Sequence, residues 1–194
     1  MPQSKKNPEQ DAEQISSGLA ALVARAERAG LSAPPVELWN PERCGTIDML
    51  IQADGVWLHE GSPILRDKLV RLFSSVLRKD ADGATYLVTP AEKLEIRVED
   101  SPFVAVEMSR DVQFGEPVLT FRTNVGDVVA ADSTHPLRFA PDAGSFIPYV
   151  LVRGRLEARL TRALAFDLAQ MLEEDAAGWY LRSSGARFSL PEFE

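Results

Sequence analysis

The stretch from Ile47 to Leu77, IDMLIQADGVWLHEGSPILRDKLVRLFSSVL, constrains the fold more than any other part of the chain. Leu50, Val56 and Leu58 flank Asp54-Gly55, and Asp-Gly between strand-like runs predicts a two-residue hairpin turn that needs positive φ. Ser62 is placed to accept from the first free N–H groups of a helix, with Pro63 at its first position, where a missing N–H costs nothing. Leu65, Leu69, Leu72, Phe73, Val76 and Leu77 then recur at helical period. Strand, turn, strand and helix make one unit, and the apolar stripe reads as its core, not as a cofactor box.

A weaker copy of the unit begins near Leu119. Leu119, Phe121 and Thr123 alternate, a Gly126-Asp127 turn follows, and Val128 to Ala130 continue. RLEARLTRALAFDLAQMLEE, residues 155–174, predicts a second helix with Leu156, Leu160, Leu164, Leu168 and Met171 on one stripe. LEEDAAG at 172–178 parallels LRKDADG at 77–83, and Tyr180-Leu181 parallels Tyr86-Leu87. The expectation is a duplicated α+β fold in which strand-turn-strand-helix units form two small antiparallel-sheet domains.

Between the units, Tyr86 to Thr89, the alternating Leu94 to Glu99, and Phe103 to Val106 read as strands. The pattern lapses between Arg110 and Glu116, which places the expected boundary between domains 14–110 and 111–194. Residues 1–13 are too polar to order themselves and are expected to be a disordered tail. Ile15, Leu19, Leu22, Val23 and Ala26 mark an amphipathic helix that Gly30 can close, and Pro34, Pro35 and Pro41 impose an extended crossing segment after it. WYLRSSGARFSL reads as a hairpin turning at Ser184-Gly185.

Charge narrows the partners. Lysine plus arginine number 21 against 29 acidic residues, and a formal charge of −8 argues against a broad phosphate-backbone footprint, so nucleic acid is not an expected partner. No apolar run approaches the length a membrane-spanning helix needs, and MPQSKKNPEQDAEQ lacks the apolar segment of a signal peptide, so a cytoplasmic protein without a membrane partner is expected. Cys44 is the lone cysteine, which excludes an internal disulfide.

The segments PPVELWNP, DGVWLHEGSPILR, YLVTPAEK, VEDSPFVAV and PYVLVRGRLEARLTR, in that order, resemble the uncharacterised bacterial family catalogued as domain of unknown function 1285. The resemblance runs from about Pro34 onward. It implies a duplicated α+β fold of small sheets each with a helix, the second half superficially like a pleckstrin-homology domain. It also implies a nucleotide-like ligand between the halves and a role in signalling. Carried onto motif positions, it points to Trp57, His59, Arg66, Tyr149, Arg153 and the arginines that follow. In the second copy the Trp and His positions become Val128 and Ala130, so a site built on both copies would be asymmetric.

The residues themselves single out the arginines. On the expected helix Arg155, Arg159 and Arg162 fall at i, i+4 and i+7 with Arg153 just ahead. Positive charge at a helix N-terminus opposes the macrodipole, and like charges at i, i+4 repel. Two readings offset this. One is a bound phosphate or carboxylate held by guanidinium forks and free N–H groups. The other is an interdomain salt-bridge cluster with Glu157, Asp127, Asp132 or the acidic run Glu95 to Asp100. Trp57 can stack on a base or be core, and His59 can serve phosphate or a structural hydrogen bond. His135 reads as a turn residue. No nucleophile elbow, Walker loop, Gly-x-Gly-x-x-Gly or paired metal-spaced histidines occur, and no cofactor is expected.

The expected function is a non-enzymatic binding module that holds an anionic, nucleotide-like ligand between its halves through Arg66, Arg153, Arg155, Arg159 and Arg162, with Trp57, His59 or Tyr149 as platforms. The alternative is a protein-interaction scaffold with no small ligand, recruiting a partner to an exposed edge such as Leu94 to Val98. A hydrolase or transferase using His59 as general base comes third.

Overall fold

The computed structural model describes residues 34–142 and 145–191. The expected tail at 1–13 and the helix expected from Ile15 lie outside the described residues.

Strands dominate the architecture. The first six-stranded sheet contains β1 (Arg43–Ile51), β2 (Trp57–His59), β3 (Ser62–Pro63), β4 (Leu77–Lys79), β5 (Thr85–Val88) and β6 (Glu92–Val98), in the order β3-β2-β1-β6-β5-β4. The second contains β7 (Phe103–Gln113), β8 (Glu116–Thr123), β9 (Val128–Ala130), β10 (Leu137–Asp142), β11 (Ser145–Arg153) and β12 (Leu156–Leu160), in the order β10-β11-β12-β7-β8-β9. Each sheet has one parallel pair, β1 with β6 and β12 with β7, so both are mixed. A small antiparallel sheet of β13 (Glu173–Asp175), β14 (Gly178–Ser183) and β15 (Ala186–Ser189) follows. The described helices are α1 (Asp67–Ser75) and α2 (Arg162–Ala169).

This corrects the expected α+β fold of duplicated strand-turn-strand-helix units with two small antiparallel sheets and a superficially pleckstrin-homology-like second half. Ser62-Pro63 does not start a helix. Glu60 and Gly61 take positive φ (49° and 74°) and turn the chain back, so Ser62 and Pro63 pair with His59 and Leu58 as a third strand. The helix begins four residues after Pro63, with Arg66 in extended backbone at its N-cap. Leu65, placed on the expected stripe, is 88% exposed, whereas Phe73, Val76 and Leu77 are buried. The second expected helix is also shorter. Leu156, Ala158 and Leu160 are the buried face of β12, and Thr161 caps α2 by accepting from the Leu164 N–H. Three strands separate the β8–β9 hairpin from α2, so the second half does not repeat the order of the first.

The first hairpin carries its turn between Gln52 and Val56. Gln52 and Val56 close the loop, Gly55 takes φ +87°, and the Asp54 carboxylate accepts from the Val56 N–H. The connection is therefore longer than two residues, and it buries Met49, Ile51 and Trp57 rather than the Leu50 face.

The chain passes between the sheets in four residues, Glu99 to Pro102, while residues 110–116 form the far end of the β7–β8 hairpin. One continuous core runs through both halves, from Met49, Trp57 and Phe73 to Phe103, Phe121 and Val150 and on to Leu181 and Phe188.

Candidate functional site

The junction of the halves is built by the first hairpin and α1 on one side and the β8–β9 turn on the other. Gly55, at the hairpin tip, comes close enough to Asn124 that a Cβ there would meet the Asn124 amide at 2.7 Å and Val104 at 3.0 Å. Asn124 serves both halves: Oδ1 accepts from the Val104 N–H at 3.1 Å, and Nδ2 donates to the Gly55 carbonyl at 3.5 Å. Beside this contact lies a cleft of about 340 Å³ lined by Val56, Trp57, Leu65, Asp67, Arg71 and Asn124, among others.

Trp57 is almost wholly buried and stacks on Phe73, with centroids 6.2 Å apart. Such a pair adds about 1 kcal/mol beyond the area it buries. The indole Nε1 is buried with no hydrogen-bond partner among the described residues. Val56 and Leu65 leave apolar surface at the cleft, 39% and 88% exposed. Its wall thus sets apolar side chains beside Asn124 and two charges, Asp67 and Arg71.

The arginines are arranged otherwise than the sequence predicts. Arg155 lies in the exposed turn after Gly154, Arg159 on β12, and Arg162 at the exposed start of α2, so no helical arginine face exists. Arg153 reaches across the junction: Nη1 donates to Asp127 at 2.7 Å, Nη2 to the Ser74 carbonyl at 2.6 Å, and the guanidinium sits 4.9 Å from the Phe103 ring centroid. The Ser74 carbonyl is in the last turn of α1, where the helix dipole favours a cation.

Tyr149 and Arg159 come together. Arg138, Tyr149 and Arg159 are directly opposite one another on three adjacent strands. The Tyr149 hydroxyl and Arg159 Nη1 both donate to Asp100, each at 2.8 Å, and Arg138 lies 4.2 Å over the Tyr149 ring while forking onto Glu157 at 2.8 and 2.7 Å. Burial, and then the neighbouring Asp100 carboxylate, push the Tyr149 phenol up to about 12. Glu157, Asp127 and Asp100 are therefore the counter-charges of Arg138, Arg153 and Arg159.

His59 is half-buried on β2, and Arg66 is exposed at the α1 N-cap; neither lines the cleft. Of the expected site residues, only Trp57 reaches it. Val56, Leu65, Arg71 and Asn124 escaped the sequence reading, because Val56 and Leu65 look like core at helical or strand period and Asn124 precedes a turn. The expected partner edge Leu94 to Val98 is interior, since β6 pairs with β1 and β5. His135 closes a turn in which Asp132 accepts from the Thr134 N–H and hydroxyl and the His135 N–H, which, led by the hydroxyl bond, lowers the Asp132 carboxyl to about 2. Among the described residues no group of three His, Cys, Asp or Glu is placed to hold a metal, and no helix is long and apolar enough to cross a membrane.

A mostly β chain of two six-stranded mixed sheets and a small third one, whose halves share one core and leave a cleft at their junction, is the class that this geometry defines. Its sequence matches two family models, the N-terminal domain of the domain of unknown function DUF1285 over residues 34–101 and the DUF1285 C-terminal domain over residues 102–190. The chain belongs to the DUF1285 family. A DUF1285 family protein from Silicibacter pomeroyi DSS-3 is 40% identical, with a TM-score of 0.79 and 96% of each chain covered. A second, from Shewanella baltica OS155, is 25% identical with a TM-score of 0.51, covering 64% of this chain and 91% of that one. No curated protein matches.

Proposed function

We propose that the protein is a non-enzymatic binding module that holds a small, nucleotide-like ligand in the cleft between its halves, in a cytoplasmic signalling role. The observation that carries this reading is the cleft itself, about 340 Å³ with Val56 and Leu65 left exposed beside the Trp57 indole. Apolar side chains kept in water at a concave junction suit the flat part of a ligand. Arg71 suits its anionic part, in place of the arginines engaged with Asp100 and Asp127. A thermal-shift screen with nucleotides, sugar phosphates and small carboxylates tests it. A ligand at a hundredfold excess over Kd adds about 2.7 kcal/mol to stability. The expected result is a shift from one ligand class that Leu65→Asp and Arg71→Glu abolish; a shift untouched by both substitutions places the ligand elsewhere and overturns the reading.

A specific observation also favours a second reading, a protein-interaction module. Beyond Ala105, β7 has a partner on one side only among the described residues, and the tip of its hairpin carries Val112 and Phe114 in full view of solvent.

A further inference from the structure

The β7–β8 hairpin is held on one flank and open on the other. Along β8, residues 120–122 pair with β9, the Leu119 N–H donates to the Ser183 hydroxyl, and the Pro117 carbonyl accepts from the Ser184 N–H. Along β7, only residues 103–105 pair with β12, and the Ala105 carbonyl accepts from the Thr161 N–H where the chain turns into α2. A bulge in the β7–β8 ladder lies between Ala105 and Glu107, and pairing with β12 stops at Ala105. From there to Gln113 its outer edge has no strand beside it among the described residues.

Register identifies the backbone groups left over. Gln113 and Glu116 flank a two-residue turn, Phe114 and Gly115, in which both φ values are positive, so they form a hydrogen-bonded pair. Alternation then turns the N–H and C=O of residues 111, 109 and 107 toward β8 and those of Val112, Arg110 and Met108 outward. Pro117 opposite Val112 fits, since that position needs no donor toward β7.

A second copy of the same edge is a poor occupant. Antiparallel pairing about a two-fold axis centred on Ser109 sets Asp111 against Glu107, whose carboxylate also takes Arg122 at 2.7 Å, and centring on Arg110 or Asp111 sets that charge against itself. Centring nearer the bulge runs the partner into β12. Like charges directly opposite destabilise a sheet, and each chain carries a net −8.

We propose that the open edge of β7, residues 106–113, is a docking site for an extended segment of another protein, added antiparallel as a further strand. The occupant has apolar residues opposite Val112, Met108 and Val106, a basic residue opposite Asp111 and another opposite Glu107, and an acidic one opposite Arg110. This rests on the interaction reading above and is independent of the cleft. Main-chain bonds supply affinity, and the charge order supplies direction and register.

The test uses the full chain and a fluorescein-labelled peptide, Val-Lys-Glu-Thr-Ile-Lys-Val, followed by anisotropy, with a peptide whose lysines and glutamate are exchanged as comparison. Saturable binding, weakened at least tenfold by exchanging the charges, is the expected result. Asp111→Lys reverses one of the three facing charges, so it should weaken binding of the first peptide by a smaller factor and strengthen binding of the exchanged one. Arg110→Pro removes an outward N–H while leaving the bonds to β8, and should abolish binding of both. Equal binding of the two peptides overturns the stated chemistry but leaves the interaction reading standing. Binding of neither, or a concentration-dependent dimer in sedimentation that Arg110→Pro dissociates, overturns the docking site itself.

Discussion

Arg153 Nη2 donates to the main-chain carbonyl of Ser74 at 2.6 Å, tying the last turn of α1 to the sheet of the other half. The same side chain pairs with Asp127 and covers Phe103, while its buried Nε has no partner among the described residues. Arg153→Met should therefore lower stability by about 2 kcal/mol, because a carbonyl and a carboxylate lose a charged donor together. Asp127→Asn, which keeps a polar partner in place, should cost under about 1 kcal/mol. Urea titration of the three proteins measures both, and equal losses would show that the Ser74 bond contributes little.

Two glycines separate backbone strain from close approach. Gly55 (φ +87°) has Asn124 and Val104 where a Cβ would sit, whereas Gly126 (φ +100°) has nothing within 4 Å. Alanine at either site carries the left-handed penalty of about 1–2 kcal/mol, and only Gly55→Ala also pushes the hairpin tip away from Asn124. Gly55→Ala should be the more destabilising in chemical denaturation, and equal effects would show that the Asn124 amide simply swings aside.

The pH dependence should carry the mark of Tyr149. Its phenol is pushed up to about 12 from an ordinary 10.0, first by burial and then by the hydrogen bond to Asp100. Above pH 10 the unfolded chain loses this proton while the folded chain keeps it, so stability falls as pH rises from 10 toward 12. The contribution is fully present below pH 10. Tyr149→Phe should flatten the fall, and absorbance of the phenolate should lose its latest-titrating component.

Charge reversal along the arginines should divide them. Arg155→Glu and Arg162→Glu, on exposed positions, should change stability by no more than about 0.5 kcal/mol. Arg159→Glu faces Asp100 at the end of the inter-sheet link and should destabilise measurably more. Thermal melts of the three variants at one ionic strength decide this, and three equal shifts would contradict the arrangement.

Period alone could not separate strand from helix at 155–164. Leu156, Leu160, Leu164 and Leu168 fit a spacing of four, while Leu156, Ala158 and Leu160 fit a spacing of two, and Ala158 is compatible with both. Pairing with β11 and β7 decides for the strand, and β7 lies far back in the chain, where no local pattern points to it. Ser62-Pro63 misled for a related reason, since two left-handed residues at Glu60 and Gly61 fold the chain back before the helix can begin. Alternation without a competing period was readable: Leu94 and Ile96 are the buried face of β6, and Ser184-Gly185 turns the last hairpin. The cleft was not readable, because Val56 and Leu65 acquire meaning only from the packing that fails to cover them.

The four-residue passage from Glu99 to Pro102 is fastened at nearly every step. The Glu99 N–H donates to the Ile51 carbonyl and its carboxylate accepts from Ala53, Asp100 takes Tyr149 and Arg159, and the Ser101 hydroxyl donates to the Glu157 carbonyl. A connector held in this way is a rivet and not a hinge. Recombination that exchanged one half for that of a distant homologue would break these fastenings along with the common core.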